Sequence, residues 1–324
     1  MANSEELGPV ATTGKSYRAR AEARQREYRA RELRAGCGRY GHWLDGESAD
    51  AGRNFVIPTA HEAARERAAA GKGVAPRTFT NMLSSQAMCF NIFAPLAVDP
   101  GLATEVLSPL IPGLIAVRSI TIEHTPPKTI FLDQTGLAGV DCDVLIEAGW
   151  CDGESAIIVV ETKFVEPEFS VCGFRKKVKG TGACPDDVRV RGNRQECRYT
   201  SSKGFGYWEQ SDRHQTLSLA TLTDTGCPFR GAQWQLWVNH TLAHAESALR
   251  GAKHALFAVC APLANRALLG SDVIEAFRAH LARPETLLYV PLDALLRRIA
   301  IVADGRGETM RPWHVGLTAR YANL

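Results

Sequence analysis

The 324-residue sequence predicts an α/β fold in which a central mixed sheet is flanked by helices. One observation is an apolar helix followed by three apolar runs of strand length. Another is a long amphipathic pattern over residues 229–250, which separates the third run from a fourth at residues 255–261. A short turn signal between the second and third runs adds a hairpin to this sheet.

The chain is predicted to divide into an N-terminal segment, residues 1–77, and a domain over residues 78–324. Residues 15–39 hold nine Lys and Arg against three Glu, and residues 17–36 within them predict a basic helix. A linker follows over residues 44–77. The helix is either solvated, with Glu and Arg paired at i, i+4 spacing, or in contact with nucleic acid. The sequence leaves both interpretations open.

The core elements follow in order along the second part. Apolar side chains at helical spacing over residues 82–96 predict a helix, with Gln86 as a polar interruption. Residues 114–122 predict the first strand. Beyond the hairpin, the long helix and the fourth strand, residues 286–290 predict a fifth strand and residues 292–301 a last helix.

Residues 140–164 predict a β-hairpin. Its turn is Asp152-Gly153, since these residue types tolerate the positive φ of a two-residue turn. The flanking residues 144–146 and 156–160 are apolar and rich in β-branched side chains, as in strands that are buried on both faces. Both strands are therefore expected in the interior of the sheet.

Charged side chains lie at the polar ends of the two hairpin strands, where the first strand begins and the second ends. Alternation places Asp141 and Asp143 on one face, and likewise Glu161 and Lys163, with positions 143 and 161 nearly opposite each other. Such charges are costly beside apolar strands unless a metal or hydrogen bonds compensate them. Two carboxylates, waters and a phosphate suit Mg²⁺, and a lysine can orient or deprotonate an attacking water. The alternative is a surface hairpin with a Glu161–Lys163 ion pair.

The sequence has an Asp, then about eighteen further residues and then Glu-Thr-Lys on an apolar strand. This order resembles the signature of the PD-(D/E)XK nuclease superfamily. One bacterial family of restriction-endonuclease-like proteins within it is similar over four segments, in the order SSQAMCFNIFAPLA, GVDCDVLIEA, VVETKFVE and CPFRGAQWQLWVNHTLAHA. The resemblance implies a restriction-endonuclease-like core of helix, three strands, helix and strand.

The resemblance also implies a nuclease that hydrolyses DNA phosphodiester bonds with Mg²⁺ or Mn²⁺. Asp143 and Glu161 would bind the metal, and Lys163 would position the attacking water. The superfamily's aspartate can match Asp141 or Asp143. Asp143 is favoured because it directly precedes the apolar run, which leaves Asp141 as a secondary ligand. The alternative function is a catalytically inactive nucleic-acid-binding protein on the same fold.

Two glutamines complete the predicted site. In the superfamily the helix before the first strand often lends a polar side chain to the metal; here that residue is Gln86, unless it caps a helix or bonds a neighbouring helix. The similar family carries Gln-x-x-Arg-Asn on the later helix, whereas this chain has Gln235 and Asn239 without the arginine. These two share one helix face and can orient the lysine, contact a phosphate or belong to a polar core.

Residues 168–228 are predicted to form an insertion, with nine Lys and Arg against three acids over residues 175–203. A structureless stretch of this length is unusual unless something holds it together. Four thiolates can bind Zn²⁺ or an iron–sulfur cluster, but the sequence contains no Cys-x-x-Cys, and four separate reduced thiols are the alternative. The four candidates are Cys172, Cys184, Cys197 and Cys227.

No apolar run has the length of a membrane span, and residues 1–15 lack the apolar core of a signal peptide. A cytoplasmic protein without a membrane partner is therefore predicted, in agreement with nine cysteines, an odd number. The net charge is only +3, but the two basic segments predict DNA as the partner, with RNA as an open alternative. Whether two copies act together as a homodimer also stays open.

Overall fold

The structure is a computed structural model that describes residues 4–71, 73–133, 140–176, 182–270 and 272–324. Within these ranges the centre is a five-stranded sheet of β1 (Leu114–His124), β2 (Cys142–Trp150), β3 (Ser155–Thr162), β4 (His254–Ala261) and β5 (Leu287–Pro291). The strands lie in sequence order. β1, β2 and β3 run antiparallel, while β3, β4 and β5 run parallel. The predicted α/β fold with a mixed central sheet is confirmed.

Helices cover both faces of this sheet. They are α1 (Ser4–Leu7), α2 (Tyr17–Tyr28), α3 (Gly46–Asp50), α4 (Pro58–Ala69), α5 (Arg77–Thr80), α6 (Ser85–Val98), α7 (Pro100–Leu107), α8 (Arg198–Lys203), α9 (Tyr207–Arg213), α10 (Gln233–Leu249), α11 (Arg266–Leu269), α12 (Val273–Arg278), α13 (Leu292–Gly305) and α14 (Arg311–Tyr321). Among the described residues no single helix is long and apolar enough to cross a membrane; α6 and α7 pass that test only together, and the pair is bent by 119°.

The β2–β3 hairpin differs from its prediction at the turn. Its loop has three residues, 151–153, because Trp150 and Glu154 still pair, with the Trp150 N–H donating to the Glu154 carbonyl oxygen over 2.8 Å. Gly153 has a φ of +86°, as the last position of such a loop requires. The turn therefore lies where it was predicted but is one residue longer.

Two helices also differ from the prediction. The long helix begins at Gln233 rather than at residue 229, because Pro228–Arg230 forms a separate 3-10 turn. The C-terminal helix α14 was not predicted, although Trp313, Leu317 and Tyr321 recur every four residues and are all buried.

Alternate side chains of the central strands face two apolar layers. Ile146 and Ile158 contribute to the layer that contains α6, α7 and α13. Leu145 and Val159 contribute to the layer that contains α10 and α12. β2 and β3 are thus buried on both faces, which explains why their sequences are continuously apolar.

Part of the predicted N-terminal segment packs into the same layer as α6. Tyr17 and Ala21 of α2 and Ala60 of α4 are buried there. Arg29, which follows α2 in a π-helical turn, is buried as well and donates to the Gly41 carbonyl over 2.7 Å. The basic helix therefore has a structural face. The division of the chain at residue 77 stays a prediction.

Arg320 of α14 offers a test of how the N-terminal segment is held. It is fully buried and donates to Gln25 Oε1 over 3.0 Å and to Asn54 Oδ1 over 2.9 Å. We expect Arg320→Ala to lower the free energy of unfolding by on the order of 3 kcal/mol, because buried acceptors lose a charged donor. Urea unfolding measures the change.

Arg311→Ala on the same helix is the matched control. Arg311 is exposed and pairs with Glu308 at 3.2 Å, so its removal should change the free energy of unfolding by less than about 0.5 kcal/mol. Equal effects of the two substitutions would show that the Arg320 contacts do not stabilise the fold.

Candidate active site

The polar ends of β2 and β3 lie next to each other. Val144 pairs with Val160 in the antiparallel ladder, so Asp143 and Glu161 take the next positions on the two strands. Thr162 fixes the aspartate, because its backbone N–H and its hydroxyl both donate to Asp143 Oδ2, over 2.7 and 2.6 Å. The structure thus brings the two predicted carboxylates together.

The Glu161 carboxylate is bonded at both oxygens and is only 3% exposed. Its Oε1 accepts from Gln235 Nε2 over 2.7 Å and lies 2.8 Å from Lys163 Nζ. Its Oε2 accepts from Asn239 Nδ2, again over 2.7 Å. Gln235 and Asn239 stand one turn apart on α10, so this helix holds Glu161 in a single orientation.

Lys163 is nearly buried beside these acids. Its ammonium contacts Glu161 and lies 5.7 Å from the centre of the Phe169 ring. Burial alone would lower the pKa of Lys163, but the charges of Glu161 and Asp143 outweigh it and hold this pKa above the ordinary 10.5. The side chain is therefore a fixed positive charge.

The pKa of Asp143 is also raised, which for a carboxyl group favours the neutral form. Burial, followed by the charge of Glu161, raises the pKa of Asp143 from 3.8 to about 7, while Lys163 and Thr162 oppose the rise. The site therefore holds more negative charge than one lysine can balance, which favours a bound cation or a bound proton.

Glu123, near the end of β1, belongs to the same group of acids and was missed by the sequence analysis. Burial and the charge of Asp143 raise the pKa of Glu123 to about 9, and a hydrogen bond from Gln86 opposes the rise. Its Oε1 is buried without a hydrogen-bond partner among the described residues. Little in the sequence pointed to this residue as part of the site, because Glu123 is simply the single acid in an otherwise apolar, basic and hydroxyl-bearing strand.

Asp141 and Gln86 lie at the outer side of this group. A Cβ atom added to Gly73 would come within 3.0 Å of Asp141 Oδ2 and 3.3 Å of Glu123 Oε2, so the loop at Gly73 covers these carboxylates. Gln86 holds that loop, since its Oε1 accepts the Ala75 N–H over 2.9 Å and its Nε2 donates to the Gly73 carbonyl over 3.1 Å. Gln86 thus bonds both this loop and Glu123 of the acidic group, and its predicted role at a metal stays a prediction.

The donor set fits Mg²⁺ or Mn²⁺. Within the described ranges, no three His, Cys, Asp or Glu side chains are spaced to hold an ion by themselves. Mg²⁺, however, usually takes one or two carboxylates and completes its coordination with waters and substrate phosphates. Asp143 and Glu161 supply such a pair, and the partnerless Oε1 of Glu123 is a further acceptor for a cation.

The four cysteines of the insertion also come together. All of them line one cavity, which lies beside α10. Burial raises the pKa of Cys172 to about 11 and that of Cys227 to about 12, and the neighbouring cysteines add to both shifts. Four cysteines that are far apart in the sequence thus line one cavity.

A mixed sheet with an aspartate, a glutamate and a lysine at one hairpin end is the arrangement of a nuclease-type fold. A family model of the PD-(D/E)XK nuclease superfamily matches residues 13–182, just over half of the chain, and the chain belongs to this superfamily. The match includes Glu123, Asp143 and Glu161 but ends before α10. No curated protein and no solved structure matches the chain.

The raised pKa values predict how stability depends on pH. Asp143 and Glu123 bind protons more tightly in the folded chain than in the unfolded one, so metal-free protein should lose stability as pH rises from about 4 toward 9. Glu123→Gln should flatten this decline. Chemical unfolding at a series of pH values, with a chelator present, measures both slopes.

The exposed Glu308→Gln serves as the control and should leave the slope unchanged. A stability that rises with pH over this range would contradict the buried, proton-binding state of the two carboxyls.

Proposed function

We propose that the protein is a metal-dependent nuclease that hydrolyses DNA phosphodiester bonds at the site of Asp143, Glu161 and Lys163. The observation that carries the proposal is the Glu161 carboxylate, held by two amide groups of α10 while it contacts Lys163 at 2.8 Å. A surface ion pair needs no such buried support. Membership of the superfamily supports nuclease-type chemistry.

Lys163 acts in this proposal as a positioned cation rather than as a base. Burial disfavours its charge, yet Glu161 and Asp143 keep its pKa above the ordinary value. The ammonium can therefore donate to the attacking water or to a phosphate oxygen and offset the negative charge that develops during hydrolysis. The proton of the attacking water then leaves to a carboxylate or to solvent.

Asp143 and Glu161 would hold the metal, with Asp141 and Glu123 as further acidic groups. When bound, Mg²⁺ or Mn²⁺ supplies Lewis acidity at the phosphate and makes a water more acidic. The chain contributes rigidity, because Thr162 fixes Asp143 while α10 fixes Glu161. Glu161 Oε2 accepts a hydrogen bond from Asn239 and retains a second lone pair for an ion.

The start of the insertion is bonded to the site and is followed by positive charge in the sequence. The Ser170 N–H donates to Gln235 Oε1 over 2.9 Å, and Gln235 in turn holds Glu161. Arg175 and Lys176 follow a few residues later and are exposed. They suit contact with the phosphates of DNA beside the scissile bond.

We place this activity in the cytoplasm, where two copies can act on the two strands of a duplex.

The second candidate is a catalytically inactive nucleic-acid-binding protein on the same fold. It is favoured by Val238, which is buried in α10 where the similar family carries an arginine. A buried valine cannot make the phosphate contact that an arginine could make at this position.

Purified protein with supercoiled plasmid and Mg²⁺ or Mn²⁺ tests the proposal. We expect metal-dependent nicking that Lys163→Ala reduces by roughly 10²-fold or more, since a positioned charge and proton donor is lost. Binding of the same DNA in Ca²⁺ should persist. RNA of matched length, assayed in parallel, identifies the preferred nucleic acid.

Lys253→Ala is the matched control, because Lys253 is an exposed lysine at the opposite end of the sheet, next to Ser155. Unchanged nicking by Lys163→Ala would overturn the assigned site. Tight DNA binding without cleavage by the unaltered chain, under either metal, would favour the inactive binding protein.

A further inference from the structure

The basic helix α2 begins beside the catalytic end of the sheet. Its first residue, Tyr17, packs edge to face against the ring of Phe164, with 6.2 Å between the ring centres. Phe164 directly follows Lys163, and both rings belong to the apolar layer that contains α6 and α13. The start of α2 is therefore close to Lys163 in space, although the two are far apart in the sequence.

The loop between β4 and α11 reaches the same place. Asn265 in this loop is only 2% exposed, and its Nδ2 donates to the Phe164 carbonyl over 3.1 Å and to the Glu166 carbonyl over 2.9 Å. Arg266, the next residue, begins α11 and is exposed. Because Asn265 is fixed to the segment that follows Lys163, Arg266 is held near the active site as well.

Lys15, Arg20 and Arg266 form a basic surface at this end of the sheet, and all three side chains are exposed. The Arg20 guanidinium donates to the Lys15 carbonyl over 2.9 Å and lies 5.8 Å from the centre of the Tyr17 ring. An arginine has five N–H donors, so most of those of Arg20 remain available. In the described part of the chain, none of the three cations pairs with an acid.

Two tyrosines connect the arginines of this basic surface. Burial raises the pKa of Tyr17, and the charge of Arg20 opposes the rise. Burial likewise raises the pKa of Tyr289 on β5, and the charge of Arg266 opposes that rise. Tyr17 and Tyr289 also interact with each other. Arg20 and Arg266 thus lie around one pair of phenol groups.

Two acids near these tyrosines do not cancel the charge of the basic surface. After burial, the charges of Asp293 and Glu166 add to the raised pKa of Tyr17, so both acids lie close to it. Both are partly buried, whereas the three cations are exposed. The Glu166 carboxylate also accepts the Phe164 N–H over 2.7 Å. The outermost charges of this surface are therefore positive.

The insertion supplies a cation on the other face of the sheet. Phe169 and Phe174 belong to the layer that contains α10, and the exposed Arg175 follows Phe174. Positive charge thus borders the catalytic end on both faces. We propose that the basic surface binds backbone phosphates of the DNA that reaches the active site, on the face of the sheet opposite to α10. This inference rests on the proposed function and gives the N-terminal helix a part in binding the substrate.

Position separates two exposed arginines of the basic N-terminal segment. Arg20 is in the first turn of α2, whereas Arg31 lies in the π-helical turn that follows the helix. An α-helix rises 1.5 Å per residue, so their separation along the axis is roughly 16 Å. Arg31 therefore serves as a matched control, with the same charge and the same exposure but further from Phe164.

The test is binding of a short fluorescent DNA duplex to the full chain in Ca²⁺, measured over a series of salt concentrations. We expect Arg20→Ala and Arg266→Ala each to lower the slope of log affinity against log salt by about one, because one phosphate contact is lost. At low salt the affinity should fall by roughly 5- to 10-fold. Arg20→Lys, which keeps the charge, should keep the slope, and Arg31→Ala should leave both quantities unchanged.

The outcomes separate this surface from the proposed activity. Metal-dependent nicking together with an unchanged salt slope in Arg20→Ala and Arg266→Ala would overturn the surface and leave the nuclease in place. A lower slope in both variants of a chain that nicks no plasmid would support the surface and overturn the activity. Equal losses in Arg20→Ala, Arg266→Ala and Arg31→Ala would reduce the effect to net charge and overturn the surface. A loss seen with RNA but not with DNA would overturn DNA as its partner.

Discussion

The hydrogen-bonded carboxylate of Glu161 is the point on which the rest of the site depends. Glu161 lies on β3, and α10 donates a hydrogen bond to each of its carboxylate oxygens. The insertion is connected to it by the hydrogen bond from Ser170 to Gln235. Burying a charge is tolerable only when partners replace the lost water, and here amides and an ammonium do so. Displacement of α10 would therefore disturb the acids, the lysine and the insertion together.

Those features that follow from local pattern could be predicted from the sequence. Period-two alternation and a turn signal placed Asp143 across from Glu161, because a hairpin register is fixed by its loop and its buried faces. The extra loop residue did not alter that result, since Val144 pairs with Val160 and leaves Asp143 and Glu161 at the next positions. Gln235 and Asn239 were recognised as sharing a face, but which partner they would meet depended on how α10 lies across the sheet.

Other features depend on distant contacts and left little trace in the sequence. Glu123 has a φ of +52°, so the alternation of its strand does not tell where its side chain points. The convergence of the cysteines could only be suspected, because the loops between them set it and no short motif does. Several arginines of the basic N-terminal helix looked like solvent-facing charge, yet Arg29 is buried and bonded to main-chain carbonyls.

The loop at Gly73 gives the N-terminal part of the chain a role at the catalytic end of the sheet. A side chain larger than hydrogen at position 73 would crowd Asp141 and Glu123, and the positive φ of Gly73 disfavours other residues as well. The loop therefore covers Asp141 and Glu123, although it lies N-terminal to the predicted boundary at residue 77. A truncated chain starting at residue 78 would keep Asp141 and Glu123 but lose the loop that covers them, and the pKa of Glu123, which burial raises, would fall toward that of an ordinary surface carboxyl.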